Sequence, residues 1–189
     1  MKPLTKTFFE KPTCEVAKNL LGCYISFNGM LGKIVETESY LFDDPASHSF
    51  CGKTPRNSPM FEQAGKSYVY FTYGMYHCFN ITTAKKEIGE AVLIRSVEPI
   101  KGIEKMKQNR KTDVVKNLTN GPAKFTTAFG ITKSQNNINI LTKTSPIKLY
   151  QPNKKEKFEI IQTTRIGIKK GTALPHRFYI KDNPFVSKK

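Results

Sequence analysis

The stretch CYISFNGMLGKIVETESYL, Cys23 to Leu41, decides the class of fold. Two runs of alternating apolar and polar side chains flank Asn28-Gly29, and Asn-Gly supplies the two positive φ values of a type I′ turn. CYISF and MLGKIVETESYL therefore read as antiparallel strands joined by a tight turn. The second run places Ile34, Glu36, Glu38 and Tyr40 on one face and Val35, Thr37, Ser39 and Leu41 on the other. One reading is a solvated face whose glutamates pair with basic side chains. The other is a carboxylate beside an aromatic wall, suited to attack by water on a sugar carbon. The carboxylate would accept the water's proton and stabilise the oxocarbenium-like charge that develops.

Before this hairpin, Thr13 reads as the N-cap of a short helix, Cys14 to Leu21, stopped by Gly22. After it, Phe42 to Ala64 is rich in Pro, Gly, Ser and Asp with no sustained period, and a loop of that length inside a compact domain is usually functional. It contains His48, which as a lone histidine is more often a surface or turn residue than a catalytic one. YVYFTYGMYHCFN, Tyr68 to Asn80, reads as a strand, a break at Tyr73-Gly74-Met75, and a second extended segment. Tyr68 and Tyr70 share one face there, Val69 and Phe71 the other. Large rings at a turn tip are costly to expose unless something covers them. Either these tyrosines pack under neighbouring loops with their hydroxyls bonded, or a ring at the tip wedges between base pairs while one on the strand walls a base pocket.

EAVLIRSVEP reads as a buried strand ending near Pro99, interrupted by Arg95. A buried arginine needs a partner, and Glu98, Glu90 or a functional site are the choices. Ile100, Ile103 and Met106 suggest a basic amphipathic helix. NGPAKFTTAFG reads as another, with Pro122 at its first position and Gly130 closing it, and its free N–H groups with Lys124 would suit a phosphate. SPIKLYQP, FEIIQTTRIGI and HRFYIKD alternate well enough for three more strands. The expected fold class is α+β: one compact domain over residues 1–189, with a mainly antiparallel sheet and helices packed around it.

The chain carries 31 Lys and Arg against 15 Asp and Glu in 189 residues, a formal net charge of +16. Such a balance points to a polyanionic partner, nucleic acid before a membrane surface, since no apolar run reaches a bilayer span. The start of the chain lacks the apolar core of a signal peptide, so a soluble, cytoplasmic protein is expected. Cys14, Cys23, Cys51 and Cys78 include no C-x-x-C pair and no histidine at a zinc-ligand interval, and read as reduced thiols.

Taken together, IVETESY, ASHS, GKTPRN, YVYFTYGMYHCFNI, AVLIRSVEP, NGPAKF and RFYIKDNPFVS resemble the alkyladenine (3-methyladenine) DNA glycosylase family, in its order and at its spacing, from about Cys14 to Ser187. The resemblance implies a curved, open-barrel-like antiparallel sheet with surrounding helices and a β-hairpin that inserts into DNA. It implies no metal and no cofactor. Glu38 matches the general base that activates the attacking water, Arg95 an arginine that holds it, and the backbone carbonyl of Ile166 a third ligand. Tyr40 and Tyr70 match the rings that sandwich the flipped base, with His48 at its edge, and Asn80 the residue that crowds the 2-amino group of guanine. Tyr73 matches the inserted residue, flanked by Met75 and Tyr76, while Thr54 and Arg56 of GKTPRN join Lys124 as expected DNA contacts.

The implied activity is a monofunctional base-excision-repair enzyme that removes alkylated or deaminated purines from double-stranded DNA. A monomer is expected. His77 departs from the pattern, where an apolar residue is the expectation. The competing reading is a non-catalytic nucleic-acid binder whose rings form a stacking platform, which gives no reason for ETESY and Arg95 to occur together. A basic structural protein of a ribonucleoprotein particle explains the charge alone.

Overall fold

The computed structural model describes residues 1–189 except Tyr73, Lys155 and Lys189. In chain order the elements are β1 (Lys2–Pro3), α1 (Lys6–Phe9), α2 (Thr13–Leu20), β2 (Tyr24–Phe27), β3 (Met30–Tyr40), β4 (Ser67–Thr72), β5 (Tyr76–Thr82), β6 (Ala91–Lys101), α3 (Ile103–Arg110), α4 (Pro122–Phe129), β7 (Lys148–Gln151), β8 (Ile160–Thr163) and β9 (Arg177–Ile180). Asn28 and Gly29 take φ values of 52° and 78°, and Phe27 pairs with Met30 across them, as the type I′ reading requires.

Every strand pairing is antiparallel, and the main path of the sheet runs β1-β7-β2-β3-β6-β5-β4. The long strand β3 organises it. Its first half, Met30–Lys33, pairs with β2, and its second, Glu36–Glu38, pairs with β9, while its other edge runs along β6. The register against β6 shifts between Ile34 and Glu36 and again between Glu36 and Thr37. Bulges of this kind bend a strand and increase its twist, so the sheet curls into an open half-barrel with the ETE segment at the bend.

Helices α2 and α4 pack their buried faces against the sheet. Phe125 and Phe129 of α4 are fully buried, with ring centroids 5.0 Å apart, and Phe125 meets Phe79 of β5 edge-on at 6.2 Å. Burying each such ring contributes about 1.5–3 kcal/mol, and these contacts hold α4 against the sheet. Val16, Ala17 and Leu20 give α2 its buried face. Among the described residues no helix is long and apolar enough to cross a membrane.

Three local expectations change. Thr13 lies inside α2 and Pro12 precedes it, because the Thr13 hydroxyl is used elsewhere, bonded to Thr83 at 2.7 Å and to the Glu90 carboxylate. The strand after Glu90 continues past Pro99 to Lys101, since β3 still pairs opposite Pro99 and Lys101; Ile100 belongs to it, and Gly102 at φ 81° separates it from α3. Phe71 shares a strand face with the buried Val69 yet is 49% exposed, because the β4–β5 hairpin projects beyond the core at its tip.

Candidate active site

The bend in β3 delivers both glutamates of ETE into the interior, each fully buried, so the solvated-face reading does not hold. Their surroundings differ. Glu36 receives five donors: Arg95 Nε at 3.0 Å, Arg177 Nε at 2.7 Å and Ser187 Oγ at 2.9 Å on Oε1, with Ser96 Oγ at 3.0 Å and the Ser187 N–H at 2.8 Å on Oε2. Burial alone would raise its pKa, but Arg95, the Ser187 N–H and Arg177 outweigh that and hold it below the usual 4.5.

Glu38 receives three. Arg95 Nη1 at 3.1 Å and the Ile166 N–H at 2.9 Å reach Oε1, and the Tyr40 hydroxyl donates to Oε2 at 2.8 Å. A carboxylate offers about four lone-pair sites, so Glu36 has none to spare and Glu38 keeps one, on Oε2. The two residues are alike in sequence and unlike in chemistry. Arg95 spans both, and its partners are these glutamates rather than Glu98 or Glu90. Glu98 pairs instead with Lys33 at 3.0 Å.

Arg95, Tyr40 and Ile166 line a cavity of about 540 Å³, which His48, Arg56, Tyr68, Tyr70, Cys78, Asn80, Pro122 and the run Gly167–Lys170 also border. A volume of that size holds a small organic ligand. Tyr40 and Tyr70 wall it. Burial and the neighbouring Glu38 push the Tyr40 hydroxyl well above its usual range, so it stays a donor, and burial does the same for Tyr70. The guanidinium of Arg165 covers the Tyr40 ring at 4.7 Å while pairing through both Nη atoms with Asp44 and bonding the Ser39 carbonyl at 3.1 Å. This clamp ties the β3 end, the long loop and the Ile166 backbone into one unit.

The long loop is folded by its own polar side chains. Asn57 bonds the carbonyls of His48 at 2.8 Å and Gly52 at 2.9 Å, and Ser47 bonds Ser49 at 2.7 Å. A Cβ on Gly89 would sit 2.6 Å from Ser49 Cβ, so only glycine lets the loop close down there. The result sets His48 edge-on to Tyr70 at 4.5 Å with Nδ1 2.8 Å from the Tyr68 hydroxyl. Burial first and Arg56 second lower the His48 pKa below 6.5, which favours the neutral ring.

At the rim, Arg56 lies over Tyr70 at 5.7 Å, and Thr54 is exposed beside it, its N–H bonded to Asn57. Lys124 sits near the start of α4, bonded to Asn120 at 2.8 Å. Asn80 donates its amide to the Tyr68 carbonyl at 3.0 Å and faces the cavity. At the hairpin tip Met75 is 64% and Tyr76 40% exposed. Tyr73, read as the wedge, lies outside the described residues. His77 pairs across strands with Phe71, their rings 5.1 Å apart, on the strand face shared with Val69 and Phe79 rather than the one that borders the cavity.

Reading by residue type missed Glu36 as a hub, together with Arg165, Arg177, Ser187 and Asp44. Their partners are 59 to 151 positions away in the chain, and no local pattern links them. The signal that was there is the alternation of ETE itself, which puts two carboxylates on the face that Arg95 also had to enter.

Comparison with known proteins gives a consistent result. The model of the methylpurine-DNA glycosylase (MPG) family matches residues 7–184. A Francisella tularensis protein provisionally named 3-methyladenine DNA glycosylase is 53% identical over 182 residues, 94% of each chain. Proteins of the same provisional name from Carboxydothermus hydrogenoformans and Methanoculleus marisnigri are 45% and 42% identical, each over 98% of this chain and 99% of their own length.

Proposed function

The chain belongs to the methylpurine-DNA glycosylase family, and from that premise we propose that it excises damaged purines from duplex DNA by hydrolysis at the sugar carbon. It is a DNA-3-methyladenine glycosylase, a hydrolase acting on DNA. The observation that carries the proposal is the contrast between the two glutamates. Only Glu38 keeps an unfilled acceptor position, and it does so beside a cavity with aromatic walls.

In this reading the purine leaves the stack and enters between Tyr40 and Tyr70. Extrusion costs a few kcal/mol, on that order, and less for a weakly paired or damaged base. A purine methylated at N3 or N7 is cationic and gains about 0.5–2 kcal/mol from a ring face, and its departure needs no proton. For neutral lesions such as hypoxanthine or ethenoadenine, His48 is the group that assists. With Nδ1 accepting from Tyr68, Nε2 carries the hydrogen and donates toward the purine edge. Asn80 crowds the 2-amino group of normal guanine.

The water donates to Glu38 Oε2, is held by Arg95 and the Ile166 carbonyl, and attacks C1′ as the C–N bond breaks. Its proton passes to Glu38, and the oxocarbenium-like charge is stabilised by the same carboxylate. Met75 and Tyr76 flank the hairpin tip, whose exposed apolar surface suits insertion between base pairs, while Thr54, Arg56 and Lys124 contact phosphates. The Glu38-activated water, rather than the amine of Lys169 or Lys170 at the cavity border, is the nucleophile in this reading, so the expected product is an intact abasic strand.

The test is product analysis on a duplex with one inosine and on methylated DNA. Free hypoxanthine or 7-methylguanine should appear while the strand stays whole until alkali is added. Strand scission without alkali, trapped as a protein–DNA adduct by borohydride, would overturn the hydrolytic assignment.

A further inference from the structure

We infer that Ser187 is a positioning residue for this excision chemistry, acting through Glu36 and Arg95; the inference rests on the function proposed above. All three nitrogens of the Arg95 guanidinium have a partner. Nε goes to Glu36 at 3.0 Å, Nη1 to Glu38 at 3.1 Å, and Nη2 to the Ser187 hydroxyl at 3.4 Å. That hydroxyl passes its own hydrogen to Glu36 Oε1 at 2.9 Å, and the Ser187 N–H takes Oε2 at 2.8 Å.

The consequence lies in what Glu36 is prevented from doing. A guanidinium and a carboxylate prefer a side-on, two-bond pairing, which for Arg95 and Glu36 would use Nε and Nη2. Ser187 stands in the way: it occupies Nη2 with its hydroxyl and blocks Oε2 with its N–H, leaving Nη1 directed at Glu38. Without the hydroxyl, Nη2 has no acceptor, and the guanidinium is drawn toward Glu36 and away from the water site.

Ser187 is delivered by fixed anchors. Asn183 bonds Glu98 at 2.9 Å and accepts the Phe185 N–H at 2.9 Å; Val186 is buried, and Arg177, itself on Glu36, bonds the Lys188 carbonyl. The segment Asn183–Ser187 is therefore a strap that reaches the reacting groups from the far end of the sequence.

The experiment compares single-turnover base release by the wild type, Ser187→Ala and Ser187→Thr with enzyme in excess, each rate normalised to folded protein. Duplex affinity and thermal midpoint are measured alongside. Displacing a catalytic group by an ångström or so costs as much as about a hundredfold. Ser187→Ala should therefore lose about tenfold or more in the chemical step per folded molecule, with affinity near wild type and a midpoint lowered by the unpaired Arg95 and Glu36 groups, and Ser187→Thr should recover most of the rate. A wild-type rate in Ser187→Ala overturns the inference, as does a loss confined to affinity or to the folded fraction. A wild type that releases no base overturns the proposed function itself, which a Ser187→Ala result alone does not.

Discussion

Glu36 and Glu38 stand two positions apart on one strand face, and the donors around each decide its role. Glu36 sits between two arginines with every acceptor position filled. Replacing it by glutamine removes the anion that compensates Arg95 and Arg177 and turns an N–H₂ toward the Ser187 N–H or another donor. Breaking a buried pair in this way costs about 3–5 kcal/mol, so Glu36→Gln should be markedly less stable at pH 7. The pH dependence follows from a folded pKa held below the usual 4.5. Stability from this group is full above about 4.5 and is lost as pH falls through the lower folded value. The gap between wild type and Glu36→Gln, read from denaturant midpoints, should narrow as pH drops from 5 toward 3, on the order of the range over which such carboxylates titrate. A gap that stays constant or widens would contradict the hub role.

At the scale of elements, the β4–β5 hairpin does two jobs at its two ends. Its base carries Tyr68, Tyr70, Cys78 and Asn80 to the cavity, and its tip leaves Phe71, Met75 and Tyr76 in solvent. Because Met75 is 64% exposed in the free protein, Met75→Ser should leave the thermal midpoint unchanged and weaken binding to a duplex with a lesion more than binding to single-stranded DNA. Equal affinity for both by the variant and the wild type would remove the tip from the account. The elements themselves were legible where the chemistry is local. Asn28-Gly29, Pro122 with Gly130, and the alternation of β3, β4, β7, β8 and β9 each announce a structure that the neighbouring residues enforce. Thr13 was misread because its hydroxyl answers to Thr83 and Glu90, across the fold, rather than to the next turn of its helix. The continuation of β6 past Pro99 was hidden for a similar reason: its partner strand, not its own sequence, keeps it extended.

At the scale of the whole molecule, a basic chain folds the interior carboxylates Glu36, Glu38 and Asp44 against arginines, holds Glu90 through Thr13, and turns the remaining positive charge outward, toward a polyanion. The residues proposed for the cavity were legible through Glu38, Tyr40, Tyr70 and Arg95, whose types betray chemistry at positions where apolar residues are the norm. The frame around them was not, because the Arg165–Asp44 clamp and the Ser187 strap exist only once distant segments meet. The most direct test of the account is single-turnover release of hypoxanthine from an inosine duplex and of 7-methylguanine from methylated DNA by the wild type and Glu38→Gln, with enzyme saturating. The account predicts release by the wild type, unimpaired duplex binding by Glu38→Gln, and a loss of at least about a hundredfold in its rate, the size of a general-base contribution. Release by Glu38→Gln at the wild-type rate would contradict it.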